Sequence, residues 1–370
     1  MSAQQDKYPR LTETVSLINQ VLYVESQEFE VGLCSNKMGE SIGSLAILQF
    51  AFWWGLSVNN TLPLFCEAYD EVLNDPEGTC HPNIRALMKL CTFGEVYFTK
   101  APQLQSELAV IDALWEIRDT LSPNNIADET NCIINSIISK LNNGSLRVAM
   151  KLGVEWFTIE QVKKAILLYF RINGNYVVKS NEAKFSQYSE DDFTKAGVSA
   201  VSNAVARFGS YIAPGVILMP SYVDIGARVE SGTTVGTWAS VGSCAQIGKN
   251  VHLSDGVGIG GLLESPQATP AIIEDNCWIG PGSMIGAGAI VAEGSVVGAN
   301  CCIDIGATIV DFKTGIITRN GYIPPYSVVI AGTAPMRDSK HGLHEKCVII
   351  KAQVRPEVRN KYTAEQLLIP

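Results

Sequence analysis

The sequence of 370 residues carries little charge and has no basic excess. Only 18% of its residues are Asp, Glu, Lys or Arg, and the formal net charge is -9. Nucleic acids and anionic membranes bind proteins through basic faces, so we expect neither as a partner. No run of 18 uncharged apolar residues is present, and the start, MSAQQDKYPR, lacks the apolar stretch of a signal peptide. We therefore expect a cytoplasmic protein.

The cysteines and histidines lack the spacings of a metal or redox site. Ten cysteines are scattered along the chain without a CxxC pair, and the chain has four histidines. We predict reduced, mostly buried thiols and no bound metal.

Helical patterns fill the first 175 residues or so. Apolar residues recur at intervals of three and four residues in four segments, which are SLAILQFAFWWGL, SELAVIDALWEIRDTL, ETNCIINSIISKLNNG and TIEQVKKAILLYFRI. The pair Asn143 and Gly144 predicts the end of the third of these helices. In GTCHPNIRALMKL, Thr79 or Cys80 is expected to precede a helix with Pro82 in its first turn.

From about residue 209 a six-residue period replaces the helical one. Aliphatic residues recur at every sixth position in two columns, which are Ile217, Val223, Val229, Val235, Val241, Ile247, Leu253 and Ile259, then Ile273, Ile279, Ile285, Val291, Val297, Ile303 and Ile309. This period is typical of a coil with three short sides, each with one inward aliphatic. The glycine that follows many of them is expected to turn a corner. The register shift requires a loop over 260–271.

The fold class predicted from these patterns is α+β, with N-terminal helical domains followed by a left-handed parallel β-helix. We expect a helical domain over 1–102, a mainly helical domain over 103–205, the β-helix over 206–334 and a tail over 335–370.

One family resemblance covers about residues 105 to 370. The segment VILMPSYVDIGARVESGTTVGTWASVGSCAQIGKNVHLSDGVGIGGLLE, with IIEDNCWIG after it, closely resembles the tetrahydrodipicolinate N-succinyltransferases. The match extends through NNGSLRVAM upstream and PPYSVVIAGTAPMRDSKHG downstream. It implies a homotrimer that transfers a succinyl group from succinyl-CoA to an amine, and for this chain we expect succinyl-CoA or acetyl-CoA as the donor and a small amine as the acceptor. The pantetheine arm would lie between neighbouring coils and the acceptor at the subunit interface.

Three positions depart from what this resemblance implies for the acceptor site. The family carries an aspartate before the Thr-Trp of GTWASVGS and a glutamate after the serine that follows IIEDNC, whereas this chain has Gly236 and Met284. The family arginine that pairs with an acceptor carboxylate is replaced by Ser199. Because a carboxylate both holds an amine and takes its proton, these changes predict a different small amine as acceptor.

The residues that the resemblance implies for CoA are better kept. They are two glycines against the pantetheine, two hydroxyls and two basic residues for the nucleotide phosphates, namely Gly260, Gly261, Ser243, Ser283, Arg337 and Lys340. The alternative is that the glycines turn corners and the basic pair is solvated. His252 and Asp255 are the candidate general bases, although a coil histidine and a turn aspartate are the structural alternatives.

The first hundred residues resemble a second family, the HopJ type III effector-like proteins, through the pattern GTxHxNIR. Its residues His81, Asn83 and Arg85 form either a site or the start of a helix. Two further functions stay open beside an acyltransferase with a new acceptor. One is a catalytically inactive CoA-binding scaffold whose function lies in this N-terminal domain. The other is the reaction of the resembled family, the succinylation of tetrahydrodipicolinate in the lysine pathway.

Overall fold

A computed structural model describes residues 10–123, 125–173, 188–335 and 343–369. The chain forms two compact units, one made of Met1–Glu116 with Met150–Phe157 and the other of Ile117–Ala149 with Thr158–Pro370. The finer division into four segments stays a prediction.

The first unit combines helices with short strands. Its helices are α1 (Leu11–Ile18), α2 (Ile42–Trp54), α3 (Val58–Thr61), α4 (Glu67–Asn74), α5 (Pro82–Leu87) and α6 (Ser106–Glu116). Its strands are β1 (Leu22–Tyr23), β2 (Phe29–Val31), β3 (Cys34–Asn36), β4 (Val96–Phe98) and β5 (Gln103–Leu104), with most of the hairpin β6 (Ala149–Leu152) and β7 (Glu155–Thr158). Strand β2 pairs with β3 and β4, and β1 pairs with β5. Strands this short show no alternation in a sequence, so this sheet was not predicted.

Helix α2 forms the centre of the first unit, and its middle is mostly apolar and buried on all sides. Seven consecutive residues, Leu45 to Ala51, are buried. The ring of Phe50 lies 5.5 Å from that of Trp54 and 5.3 Å from that of Phe157. Aromatic contacts at these distances add to the gain from burial.

The polar residues of GTxHxNIR hold the backbone around helix α5. The helix has Pro82 in its first turn as expected, and the residue directly before it is His81, with φ at 52°. The Asn83 amide exchanges hydrogen bonds of 2.9 and 2.8 Å with the Asn36 amide. The Arg85 guanidinium donates to three main-chain oxygens, those of Asp75, Pro76 and Cys80. These contacts favour the structural interpretation of the motif.

Within the described residues, the second unit contains five α-helices beside its strands. They are α7 (Asp128–Asn142), α8 (Glu160–Asn173), α9 (Glu190–Ala196), α10 (Pro356–Lys361) and α11 (Ala364–Leu368). The predicted end of α7 is confirmed, because Gly144 follows with φ at 80°.

The strands of the second unit form a parallel coil with three faces. The first face contains β10 (Tyr211–Ile212), β13 (Arg228–Val229), β16 (Gln246–Ile247), β19 (Ile272–Ile273), β22 (Ile290–Val291) and β27 (Tyr322–Ile323). The second face contains β8 (Ser199–Ala200), β11 (Ile217–Leu218), β14 (Thr234–Val235), β17 (His252–Leu253), β20 (Trp278–Ile279), β23 (Val296–Val297) and β28 (Ser327–Pro335). The third face contains β9 (Val205–Ala206), β12 (Tyr222–Val223), β15 (Ser240–Val241), β18 (Gly258–Ile259), β21 (Met284–Ile285) and β24 (Cys302–Ile303). Strands β29 (His344–Gln353), β25 (Thr308–Asp311) and β26 (Ile317–Thr318) extend the second face. The predicted β-helix is confirmed.

The inward aliphatic column follows the prediction with one exception. The second residue of most two-residue strands points inward, as Val223, Val241 and Ile259 do. Ile217 is 43% exposed, and the buried residue of its strand is Leu218. The prediction for Ile217 is therefore wrong, because β11 and β12 are joined by a shorter corner than the others.

Most of the glycines that follow the column are required by close packing rather than by backbone conformation. Gly236 and Gly242 do not have positive φ, which falls instead two residues later, at Trp238 and Cys244. A Cβ atom on Gly236 would lie 2.6 Å from the oxygen of Leu253, in the next coil. The prediction that these glycines supply an unusual φ is therefore wrong.

The ten cysteines are all free. Five are buried, but Cys80, Cys91, Cys132 and Cys302 are exposed, so the prediction of mostly buried thiols is only half correct. Within the ranges that the structure describes, every helix is too short or too polar to cross a bilayer.

Candidate functional site

Several of the predicted site residues lie at two corners of the coil, whereas His252, Ser199 and Met284 lie in strands of its faces. The corner between the second and third faces, formed by 236–239 and 254–257 and called here the acceptor corner, carries Gly236 and Asp255. The corner between the third and first faces, formed by 224–227, 242–245 and the loop 260–271 and called here the loop corner, carries Ser243, Gly260 and Gly261.

At the loop corner, the two glycines pack against neighbouring backbone. A Cβ atom on Gly261 would lie 2.9 Å from the carbonyl carbon of Gly242, and one on Gly260 would lie 3.1 Å from the Cα of Gly286. The coil itself thus requires both glycines, and their contact with pantetheine stays a prediction.

Ser243 belongs to a polar cluster that the sequence did not reveal. Its hydroxyl donates to Asp224 Oδ2 at 2.7 Å. Asp224 Oδ1 accepts from the Arg207 guanidinium at 3.0 Å, the main-chain N–H of Ile225 at 2.8 Å and the Tyr222 hydroxyl at 3.3 Å. One sequence signal could have revealed this cluster. Asp224 is an acidic residue at the position where the next two coils carry Gly242 and Gly260. The cluster places a charged, hydrogen-bonded group beside the start of the loop.

Ser283 is held inside the coil. Its fully buried hydroxyl donates to the oxygen of Gly298 at 2.9 Å and accepts from the N–H of Cys301 at 3.1 Å. Thr233 does the same at another corner, with bonds of 2.7 Å to Gly248 and 3.0 Å from Val251. Because a hydroxyl in this position serves the corner, the geometry gives the predicted CoA contact of Ser283 no support.

Asp255 lies at the surface of the acceptor corner. Its Oδ1 accepts from the main-chain N–H of Thr237, one coil below, at 2.8 Å. Asp275 accepts from Lys249 in the same way at 2.7 Å. One oxygen of Asp255 therefore has a structural use, and its role as a base stays a prediction.

His252 lies on the second face. Its exposed ring is stacked on Trp278, with ring centroids 6.2 Å apart and planes 7° apart. It is in register with Thr234, two residues before Gly236. Its role as a general base also stays a prediction.

The three positions that differ from the family have different surroundings. Ser199 is exposed in β8, at one end of the second face, and Gly236 is buried at the acceptor corner. Met284 is 51% exposed on the third face, and its thioether lies across Gly258. Neither Gly236 nor Met284 offers charge to an acceptor.

Two predicted CoA residues, Arg337 and Lys340, lie outside the described residues. His344 is described, and its Nδ1 lies 3.4 Å from the Thr333 hydroxyl. The part of the chain that the structure describes holds no group of three or more His, Cys, Asp or Glu side chains that could bind a metal ion.

Comparison with known proteins identifies three segments. Residues 2–103 match the HopJ type III effector protein family, residues 107–172 the tetrahydrodipicolinate N-succinyltransferase N-terminal family, and residues 270–304 the bacterial transferase hexapeptide (six repeats) family. Both predicted resemblances are thereby confirmed.

Similar proteins cover most of this chain. A 2,3,4,5-tetrahydropyridine-2,6-dicarboxylate N-succinyltransferase from Psychrobacter sp. is 48% identical over 70% of this chain and 97% of its own length. The enzyme of the same name from Dechloromonas aromatica is 46% identical over 71% and 98%. A crystal structure of AntD, an N-acyltransferase from Bacillus cereus, matches 48% of this chain and 95% of its own with 14% identity and a TM-score of 0.24, too low to bear on the site. This chain belongs to the tetrahydrodipicolinate N-succinyltransferase family of acyltransferases.

Proposed function

We propose that this protein transfers an acyl group from succinyl-CoA or acetyl-CoA to a small amine other than tetrahydropyridine dicarboxylate. The observation that carries the proposal is the pair Gly236 and Met284, at which the family resemblance implies two carboxylates. A Cβ atom on Gly236 would lie 2.6 Å from the main-chain oxygen of Leu253, and the Met284 thioether lies across Gly258.

The missing charges bear on both the binding and the reaction of an acceptor. A carboxylate that takes the proton of the attacking amine contributes roughly two to four powers of ten in rate. A dicarboxylate acceptor would also lack the guanidinium that Ser199 replaces. The residues in register with Met284 on the third face are Gly258 and Cys302, and neither offers a charge to pair with a carboxylate, so this part of the surface favours an acceptor without paired carboxylates.

In the proposed reaction, the amine nitrogen attacks the thioester carbon, the C–S bond breaks, and the amine proton leaves as the CoA thiol is released. Positioning by the coil and hydrogen bonds to the oxyanion supply most of the required catalysis. Asp255 is the carboxylate at the acceptor corner, and it is the group that we assign to the amine proton.

The loop corner is the place that we assign to the donor. The backbone of Gly260 and Gly261 lies bare of side chains beside Ser243, and the Asp224 cluster fixes that hydroxyl. Arg337 and Lys340 are assigned to the nucleotide phosphates on the sequence alone.

We further propose a homotrimer. Large apolar side chains are exposed along the second and third faces and the corner that joins them, and they are Val201, Ile217, Tyr222, Trp238 and Met284. Trp238 is 78% exposed. An exposed apolar stripe on a folded protein is typical of an interface, and identical copies would cover it about a threefold axis.

The ten free cysteines favour a reducing, cytoplasmic location.

The proposal is tested by calorimetric titration of the purified chain with CoA, acetyl-CoA and succinyl-CoA. We expect one thioester to bind, and the double variant Arg337→Ala, Lys340→Ala to weaken that binding by about tenfold or more, since each lost charge-assisted hydrogen bond is worth roughly 1.5–3 kcal/mol. Lys249→Ala, on an exposed corner away from the loop, is the control and should bind as the unmodified chain does. Failure of every thioester to bind would contradict the proposal.

A further inference from the structure

Lys163 is a charged residue enclosed within the second unit. It lies in α8, and none of its surface is exposed. Its Nζ donates to the oxygen of Ser265 at 2.6 Å and to that of Ala268 at 2.9 Å. Burial lowers the pKa of this ammonium. Burial of a cation carries an unfavourable desolvation free energy unless hydrogen bonds offset it, so a buried lysine of this kind points to a specific structural or functional role.

The two oxygens that Lys163 holds belong to the loop of the loop corner. This loop leaves the coil after β18 and returns at β19, which pairs with β16 as if the coil were unbroken. Its middle is a turn in which the N–H of Ala268 donates to the oxygen of Ser265 at 3.0 Å. Lys163 therefore anchors the turn from within the unit, while the glycines fix the start of the loop against the coil.

The neighbouring lysine, in contrast, has an ion pair within its own helix. Lys164 makes an ion pair of 2.8 Å with Glu160, one helical turn earlier. Lys163 instead contacts residues about a hundred positions later in the chain. Without its ammonium, two carbonyl oxygens of the loop would lose a charge-assisted hydrogen bond each, and the turn would move toward water.

We infer that Lys163 is a positioning residue for the CoA thioester. It fixes the position of the loop 260–271, and the first two residues of this loop, Gly260 and Gly261, form one wall of the donor site proposed at the loop corner. This inference rests on the proposed function. Lys163 acts through the backbone of the loop and does not touch the donor, so its loss should change donor binding and leave the acceptor KM unchanged.

The test compares Lys163→Met with Lys164→Met in the full chain, by calorimetry with the thioester that binds and by hydrogen exchange with mass spectrometry. For Lys163→Met we expect a donor Kd raised about tenfold or more and faster exchange in 260–271, because two loop carbonyls lose their partner. Protection of the coil over 222–257 should stay as it is. Lys164→Met should change neither quantity.

An unchanged Kd and unchanged exchange in Lys163→Met would overturn the inference, as would equal effects of Lys164→Met or faster exchange throughout the coil. If Lys163→Met does not fold, Lys163→Gln, which keeps one donor group, carries the same comparison. If the unmodified chain binds no thioester, the proposed function fails, whereas the exchange measurement still reports whether Lys163 anchors the loop.

Discussion

Replacement of Gly236 with alanine should lower the melting temperature of the second unit by about 5 °C or more, which corresponds to roughly 2–3 kcal/mol of lost stability. The new Cβ atom would lie 2.6 Å from the oxygen of Leu253 and 2.8 Å from the carbonyl carbon of Ser254. Both are main-chain atoms of the next coil, which move only if the stacking of the two coils changes. Gly236→Asp should be at least as destabilising, so it should not restore the carboxylate that the family resemblance implies.

The matched control is Gly306→Ala, in which the nearest atom to the new Cβ is Asp304 Oδ1 at 3.5 Å, an ordinary contact. Its melting temperature should stay within about 1 °C of that of the unmodified chain, as for most surface substitutions. Equal melting temperatures for the two variants in a thermal scan would show that the coils separate easily at Gly236, and that an acid at this position is not excluded by packing.

Trp238→Glu should convert a trimer into single chains. The unmodified protein is expected to run in size-exclusion chromatography with light scattering at three times the chain mass of 40.0 kDa. Because Trp238 is 78% exposed at the acceptor corner, a glutamate there would bury an unpaired charge in the proposed interface on each of three copies.

Leu33 provides the control for this substitution. It is a fully exposed apolar residue in the first unit, so Leu33→Glu should keep the trimer. A trimeric Trp238→Glu variant would show that the interface lies elsewhere. A mass of one chain for the unmodified protein would contradict the proposed trimer.

The β-helix was predictable because its signal is local and repeated. Each strand needs one inward aliphatic residue, and residues 18 apart, such as Thr234 and His252, stand in register, so the same requirement recurs along the chain. Ile217 was wrongly predicted to point inward because the corner between β11 and β12 is one residue shorter than the others, and a single missing residue leaves no periodic signal in the sequence. The sheet of β2, β3 and β4 escaped it because pairing between strands of three residues is decided by tertiary contacts.

The site was less predictable because it depends on contacts between coils. The sequence identified Ser243 but not the Asp224 carboxylate that binds its hydroxyl, since the two residues are neighbours only after the coil has closed. It also proposed Ser283 for a ligand, although this serine and Thr233 serve the same internal contact. Lys163 resembled any other lysine of an amphipathic helix, and only its burial distinguishes it.

The identity of the acceptor can be measured by the release of free CoA thiol from the bound thioester in the presence of single amines. Tetrahydropyridine dicarboxylate and a panel of small amines without paired carboxylates would be compared, with the Psychrobacter relative as the reference enzyme. We expect turnover of at least one amine of the panel, and a kcat/KM on the dicarboxylate roughly two to four powers of ten below that of the relative. Turnover of the dicarboxylate at the rate of the relative would instead show that this chain performs the reaction for which its relatives are named, and that the losses at Gly236 and Met284 do not change the acceptor.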